Sequence, residues 1–185
     1  MAFAVPFGWI LKQEDFEKGL NVLLTDIKRI PPSSVDPTIK NYHWMDLVTG
    51  MLDAYEKGND TAVLVDENNN ITEGPGFNLF CIDDSGIFTP DHGVLEGITR
   101  QSIFDLAKEL HLPIIKKSIS VDELYGAKEL FATSTAGGIM PITRVSGQEI
   151  GKGSVGSLTR QLHKLYWEKH SDDSWSTSIS DILTN

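Results

Sequence analysis

Thiols are almost missing from this chain: Cys81 is the one cysteine in 185 residues. A single thiol excludes an internal disulfide framework and argues against a thiolate metal site. It stands in the apolar run Phe77–Ile82, where a free cysteine is expected to pack as a small hydrophobe rather than act as a nucleophile. Positive charge is scarce too. There are 16 Lys and Arg against 26 Asp and Glu, a net charge of −10. Nucleic acid and anionic membrane surfaces need a cationic face, so neither is expected as a partner. No apolar run is long enough to span a bilayer. The apolar start, Met1 to Leu11, has no basic n-region, so no secretory signal peptide is expected and the default setting is a reducing cytoplasm. The five histidines show neither ligand spacing nor a triad context, and no metal site is expected.

What is present is ordinary for a globular protein: 40% hydrophobic and 23% charged residues, in a length that suits one domain. Strands are expected over Phe3–Leu11 and about Leu20–Ile30. The period then changes. From Tyr42 the residues Trp44, Met45, Val48, Met51, Leu52 and Tyr55 fall on one helical face, with Gly58 as a fitting terminator. Thr61–Asp66 reads as a strand, Glu67–Asn70 as a hairpin turn, and Phe77–Ile82 as a strand bent by the Gly-Pro-Gly before it. A short strand is expected at Ile87–Thr89. Thr99 is expected to cap a helix running to about Leu110, with Ile103, Leu106 and Ala107 inward. Strands at Pro113–Ile119, Glu129–Thr133 and Ile139–Val145, a helical turn at Val121–Tyr125 and a last amphipathic helix at Ser157–Lys169 follow. The order implies one mixed α/β unit over residues 1–170, with 171–185 as a polar, Ser- and Asp-rich tail.

Four places carry chemistry. Lys40 sits between the stiff Asp36-Pro37 loop and the first helix, and fits either an ordinary surface cation or a Schiff-base lysine. Glu73, in Thr72-Glu73-Gly74-Pro75-Gly76, is a carboxylate inside an apolar strand pair. It is either a solvated turn residue or a buried anion that needs a cationic partner, such as a protonated ring nitrogen. Gly97, Ile98 and Thr99 open a helix, so their backbone N–H groups and the Thr99 hydroxyl can cradle a phosphate. Ser134 and Thr135, in the stretch Ala132–Gly138 whose three hydroxyls begin at Thr133 and lead to two glycines, form a second donor-rich turn. Helix capping and turn chemistry account for either cradle taken alone.

Taken together and in order, Asp36-Pro37-Thr38-Ile39-Lys40-Asn41, Thr72–Asn78, Thr89–Arg100 and Ser134–Thr143 resemble the fold-type IV pyridoxal-phosphate enzymes. These include the branched-chain and D-amino-acid aminotransferases, the aminodeoxychorismate lyases and, with the closest likeness, the (R)-selective amine transaminases. The resemblance covers Phe3 to His170. It implies the large, cofactor-binding domain of that class: a mixed β-sheet or pseudo-barrel with surrounding helices. It further implies a transaminase acting on an amine or amino acid and a 2-oxo acid, with pyridoxal 5'-phosphate as cofactor, in a homodimer. Lys40 would hold the cofactor as a Schiff base and shuttle the proton, and Glu73 would pair with the pyridine nitrogen. Gly97, Ile98, Thr99, Ser134 and Thr135 would bind its phosphate, and Trp44 would be a pocket aromatic or a helix packing residue. Members of the class carry a smaller N-terminal domain before the point where this chain begins. The alternatives are therefore a piece of a longer transaminase, a shortened non-catalytic paralogue that keeps the fold, or a lyase with the same lysine and phosphate cup.

Overall fold

The structure, a computed structural model, describes residues 10–178. Most of the strand expected over Phe3–Leu11 lies outside that range, and Ile10 and Leu11 form a bend. A 3-10 turn at Gln13–Asp15 leads into β1 (Leu20–Lys28), then α1 (Met45–Glu56) and β2 (Thr61–Val65). β3 (Asn78–Asp83), β4 (Gly86–Pro90), α2 (Ile98–Glu109), β5 (Ile114–Lys117) and α3 (Val121–Gly126) follow. The order ends with β6 (Glu129–Ser134), β7 (Gly138–Val145), the two-residue β8 (Gln148–Glu149) and α4 (Ser157–Glu168).

The eight strands make one mixed sheet along the path β2-β1-β7-β6-β3-β4-β5, with β8 on β7. β1 is parallel to β2 and to β7, and β4 is parallel to β5. The pairs β3–β4, β3–β6 and β6–β7 are antiparallel. The two ends of the path also meet. Ile71 bridges Val65 of β2, and its neighbour Asn70 bridges Ser120 just beyond β5. The sheet therefore curls nearly to closure, which is the pseudo-barrel the sequence suggested.

Period-two alternation splits the strands between two cores. Val63, Val65, Leu79, Cys81, Leu130, Ala132, Met140 and Ile142 share the interior cluster. Phe80, Ile82, Phe131 and Ile139 point the other way, where Ile103, Leu106 and Ala107 of α2 and Leu162 of α4 cover them. Each Val, Leu, Ile, Phe or Met among them contributes about 1.5–3 kcal/mol on burial. Cys81 is packing, as expected, and burial pushes its thiol far above the ordinary value.

Two expectations are corrected. The face of α1 that meets the sheet is Leu47, Gly50 and Ala54, whereas Met45, Leu52 and Tyr55 are exposed. The reason is distance: a Cβ at Gly50 would lie 2.9 Å from the Leu64 side chain, so only a stripe of small residues lets the helix sit this close. The N-cap of α2 is Gly97 rather than Thr99, whose side chain is buried in the first turn. Among the described residues no helix is long and apolar enough to cross a membrane.

Candidate active site

The ends of these elements surround one cleft of about 490 Å³, a size suited to a small molecule. Lys40, Glu73, Gly97, Ile98, Thr99, Ser134 and Thr135, scattered over the sequence, all line it.

Lys40 stands on a loop tied by its own side chains. Asp36 Oδ1 accepts from Thr38 N at 2.9 Å, and Asn41 Oδ1 accepts from His43 N at 2.8 Å. The lysine is exposed, with Nζ 5.8 Å from the centre of the Trp44 ring. Trp44 occupies the N-cap position of α1 and lines the cleft, so it is a wall residue rather than helix packing.

Glu73 is not a solvated turn residue; it is buried, at 6% exposure. Gly74 and Phe77 exchange backbone hydrogen bonds around Pro75-Gly76, and Gly76 takes φ +82°. This tight turn turns the chain back at the cleft. Gly74 must be glycine, since a Cβ there would meet Ala62 O at 2.4 Å. Glu73 Oε2 accepts from Leu95 N at 2.9 Å and from Asn78 Nδ2 at 3.3 Å. Its Oε1 accepts from Arg29 Nη2 at 3.1 Å. Burial raises the Glu73 carboxyl above its ordinary value, against the lowering effect of Leu95 N–H and Arg29. Arg29 also donates Nη1 to Asp46 Oδ2 at 2.5 Å. Burial works against the Asp46 carboxylate, but bonds from Ile30 N, Arg29 and Leu47 N hold it below the ordinary value.

The rim opposite is the start of α2, whose first N–H groups have no partner within the helix. Arg100, 1% exposed, fastens that end by donating Nη2 to Pro90 O at 2.7 Å and Nη1 to Glu96 Oε2 at 2.5 Å. Ile98 lines the cleft and is 84% exposed. Ser134 Oγ accepts from Gly137 N at 2.9 Å and shapes the β6–β7 turn. Thr135 is exposed at that turn.

Sequence reasoning missed Arg29, Asp46 and Asn78 as site residues, all of which shape or line this site, and it placed Thr133 only as one hydroxyl of the donor-rich stretch Ala132–Gly138. A signal for the first existed, since a buried Glu73 demands a cation. Nothing in the spacing says which of the 16 Lys and Arg supplies it.

A mixed sheet curled nearly to closure thus brings a buried carboxylate, an exposed lysine and two donor-rich turns onto one cleft. Residues 2–145 match the family amino-transferase class IV, and the chain belongs to that family. It is 32% identical over 180 residues to the branched-chain-amino-acid aminotransferase of Escherichia coli (strain K12), covering 93% of this chain and 58% of that protein. To the putative branched-chain-amino-acid aminotransferase of Methanocaldococcus jannaschii it is 29% identical over 167 residues, covering 89% and 57%. The fold superposes on the branched-chain amino acid aminotransferase of Thermobaculum terrenum, solved in its PLP (holo) form, at a TM-score of 0.80 and 29% identity, covering 85% of this chain and 53% of that one. The chain thus spans less than two thirds of the length of these relatives.

Proposed function

We propose that this chain carries the pyridoxal 5'-phosphate site of an aminotransferase that moves an amino group between an amine or amino acid and a 2-oxo acid. The observation that carries the reading is Glu73, a carboxylate buried in the cleft that Lys40 lines. Its Oε2 already accepts two hydrogen bonds and Oε1 only one, so a lone pair on Oε1 remains for a ring N–H. Two further observations support the fit of these residues to the cofactor. Thr133 Oγ1 and Arg29 Nε, both from residues lining the cleft, are buried without a partner. The chain at Gly97 also passes so close to Asn78 that a Cβ would lie 2.4 Å from its Oδ1, which keeps side-chain bulk away from the helix start.

When bound, the cofactor supplies an aldehyde for covalent capture and a ring that withdraws electrons. Lys40 Nζ would hold the aldehyde carbon and would carry the proton. Glu73 would hold the proton on the ring nitrogen, and the Arg29–Asp46 pair keeps Glu73 oriented. Backbone N–H groups of Gly97, Ile98 and Thr99, with Ser134 and Thr135, would bind the phosphate. Trp44 walls the cleft beside Lys40. The relatives' names make a branched-chain amino acid the first donor to test. The exposed stripe of Met45, Leu52 and Tyr55, with the exposed Tyr42 and with Ile39 on the cleft, supports assembly as a homodimer.

The test is reductive trapping. The chain is mixed with pyridoxal 5'-phosphate, reduced with borohydride and mapped by peptide mass spectrometry. A phosphopyridoxyl adduct concentrated on Lys40, and absent in Lys40→Ala, is expected; adducts spread over surface lysines would overturn the reading. Single-turnover amino transfer from L-leucine, compared with D-alanine and (R)-1-phenylethylamine, then separates the substrate branches.

A further inference from the structure

The fold is thorough about its buried hydroxyls. Thr25 donates to Asp53 Oδ2 at 2.8 Å, Thr72 to Leu64 O at 2.9 Å, and Thr89 to Leu79 O at 2.6 Å. Thr143 and Thr159 likewise reach Lys18 O and Glu129 Oε2, each at 2.7 Å. Thr133 breaks the pattern. It is 2% exposed, and its Oγ1 has no hydrogen-bond partner. An orphaned hydroxyl in a folded interior costs free energy and calls for an explanation.

Its position supplies one. Thr133 pairs with Asn78 across β6 and β3 and with Ile139 across β6 and β7, so its backbone is committed to the sheet and only the side chain is free. By alternation it lies on the same face as Phe131. That face is covered by α2 and α4 further down the strand and is part of the cleft lining at Thr133. Asn78, on the neighbouring strand, is the residue over which Gly97 brings the start of α2. Ser134, the next residue, has an Oγ acceptor site already occupied by Gly137 N. Thr133 therefore sits between the carboxylate end of the cleft and its two donor-rich turns, with an unused O–H.

We infer that Thr133 Oγ1 is a ligand donor, reserved for an oxygen of the phosphate group of the bound cofactor. The inference rests on the reading of the cleft as a pyridoxal 5'-phosphate site. It adds a buried and unpaired side-chain donor to a cup otherwise made of backbone N–H groups, the Ser134 hydroxyl already engaged by Gly137 N, and the exposed Thr135 hydroxyl. It also accounts for threonine at a strand position where valine would pack equally well and leave nothing unpaired.

The substitution Thr133→Val keeps the shape and the strand preference while removing the hydroxyl. Without cofactor, the variant is expected to melt at the same temperature as the parent chain or higher, because a buried orphan is gone. Its dissociation constant for pyridoxal 5'-phosphate, measured by equilibrium dialysis, is expected to rise by about tenfold or more, the scale of one hydrogen bond to a charged group. Thr133→Ser is expected to restore most of that affinity. Pyridoxal, which has no phosphate, is expected to bind parent and Thr133→Val alike. Equal affinity of both chains for pyridoxal 5'-phosphate would overturn the assignment, as would an equal loss for pyridoxal, which would place the hydroxyl on the ring. A large fall in melting temperature of the cofactor-free variant would also overturn it, by making Thr133 structural. A parent chain that takes up no pyridoxal 5'-phosphate sinks the reading of the cleft itself, whereas uptake without a Thr133 effect sinks only this inference.

Discussion

Arg29 and Glu73 are 44 residues apart in sequence and 3.1 Å apart in the fold, both nearly closed off from solvent. The same guanidinium spans to Asp46 at the start of α1, so one cation bridges two carboxylates and ties the end of β1 to the turn that carries Glu73. Removing it strands a buried anion. Arg29→Met is expected to cost about 3–5 kcal/mol, the range for breaking a buried pair from one side. Arg29→Lys is expected to recover only part of this, since an ammonium lacks the planar fork that holds two carboxylates. Urea unfolding midpoints decide it; a loss under about 1 kcal/mol would mean that Glu73 is neutral without help.

Glu73 also gives a pH signature whose sign is opposite to that of most carboxylates. Its folded value is raised above 4.5, with burial as the leading cause. Between the unfolded and folded values the native state binds more protons, so its contribution to stability falls as pH rises through that window. Glu73→Gln removes the titration. The difference in stability, variant minus parent, is therefore expected to move in the variant's favour as pH climbs above 4.5. A flat difference across the acid range would show that burial does not perturb this group.

The capping box of α3 predicts the reverse. Ser120 Oγ accepts from Glu123 N, and Glu123 Oε2 accepts from Ser120 N. The Lys117 side chain, then Ser120 N–H, holds the Glu123 carboxyl down to about 2. A lowered folded value means stability present above 4.5 and lost as pH falls toward 2. The pair with Lys117 is substantially exposed, so Glu123→Gln is expected to cost less than about 1 kcal/mol at neutral pH. Ser120→Ala is expected to cost about 1 kcal/mol. Chemical denaturation at about pH 7 and about pH 3 measures both, and Glu123→Gln should cost less at the lower pH than at the higher.

Most of the sheet was legible because alternation and turn residues are local. The strands around Cys81 and the Glu67–Asn70 hairpin needed no partner to be recognised, and Asn69 takes φ 63° in that turn. The four motifs were legible as separate stretches, and their convergence followed from the family resemblance. The inward face of α1 was not legible. Met45, Leu52 and Tyr55 form a better apolar stripe than Leu47, Gly50 and Ala54, but the helix rests on the smaller one because Thr25, Ala62 and Leu64 leave no room for bulk. Periodicity reports that a stripe is apolar, not which surface it meets. Arg29 was hidden for a related reason: its partners Glu73 and Asp46 lie 44 and 17 residues away, which no single stretch encodes. Thr133 was visible as one hydroxyl of a donor-rich stretch, but its burial without a partner was not.

Gly97 links the helix start to the carboxylate through a third residue. Its φ of −65° suits any amino acid, so the requirement for glycine is steric alone. An alanine Cβ would press on Asn78 Oδ1. Moving Asn78 would break its bonds to Leu95 O at 2.8 Å and Glu73 Oε2 at 3.3 Å. Gly97→Ala is thus expected to cost about 1–3 kcal/mol in stability, as overpacking does. It should weaken pyridoxal 5'-phosphate binding by about tenfold, or about 1.4 kcal/mol. Gly126→Ala is the control, because a Cβ there meets nothing within 4 Å, and it is expected to be neutral or slightly stabilising. If Gly97→Ala acts by displacing Asn78, the double variant with Asn78→Ala should bind the cofactor no more weakly than Asn78→Ala alone. Additive losses would show instead that the helix start itself has moved, and that Asn78 does not transmit the effect.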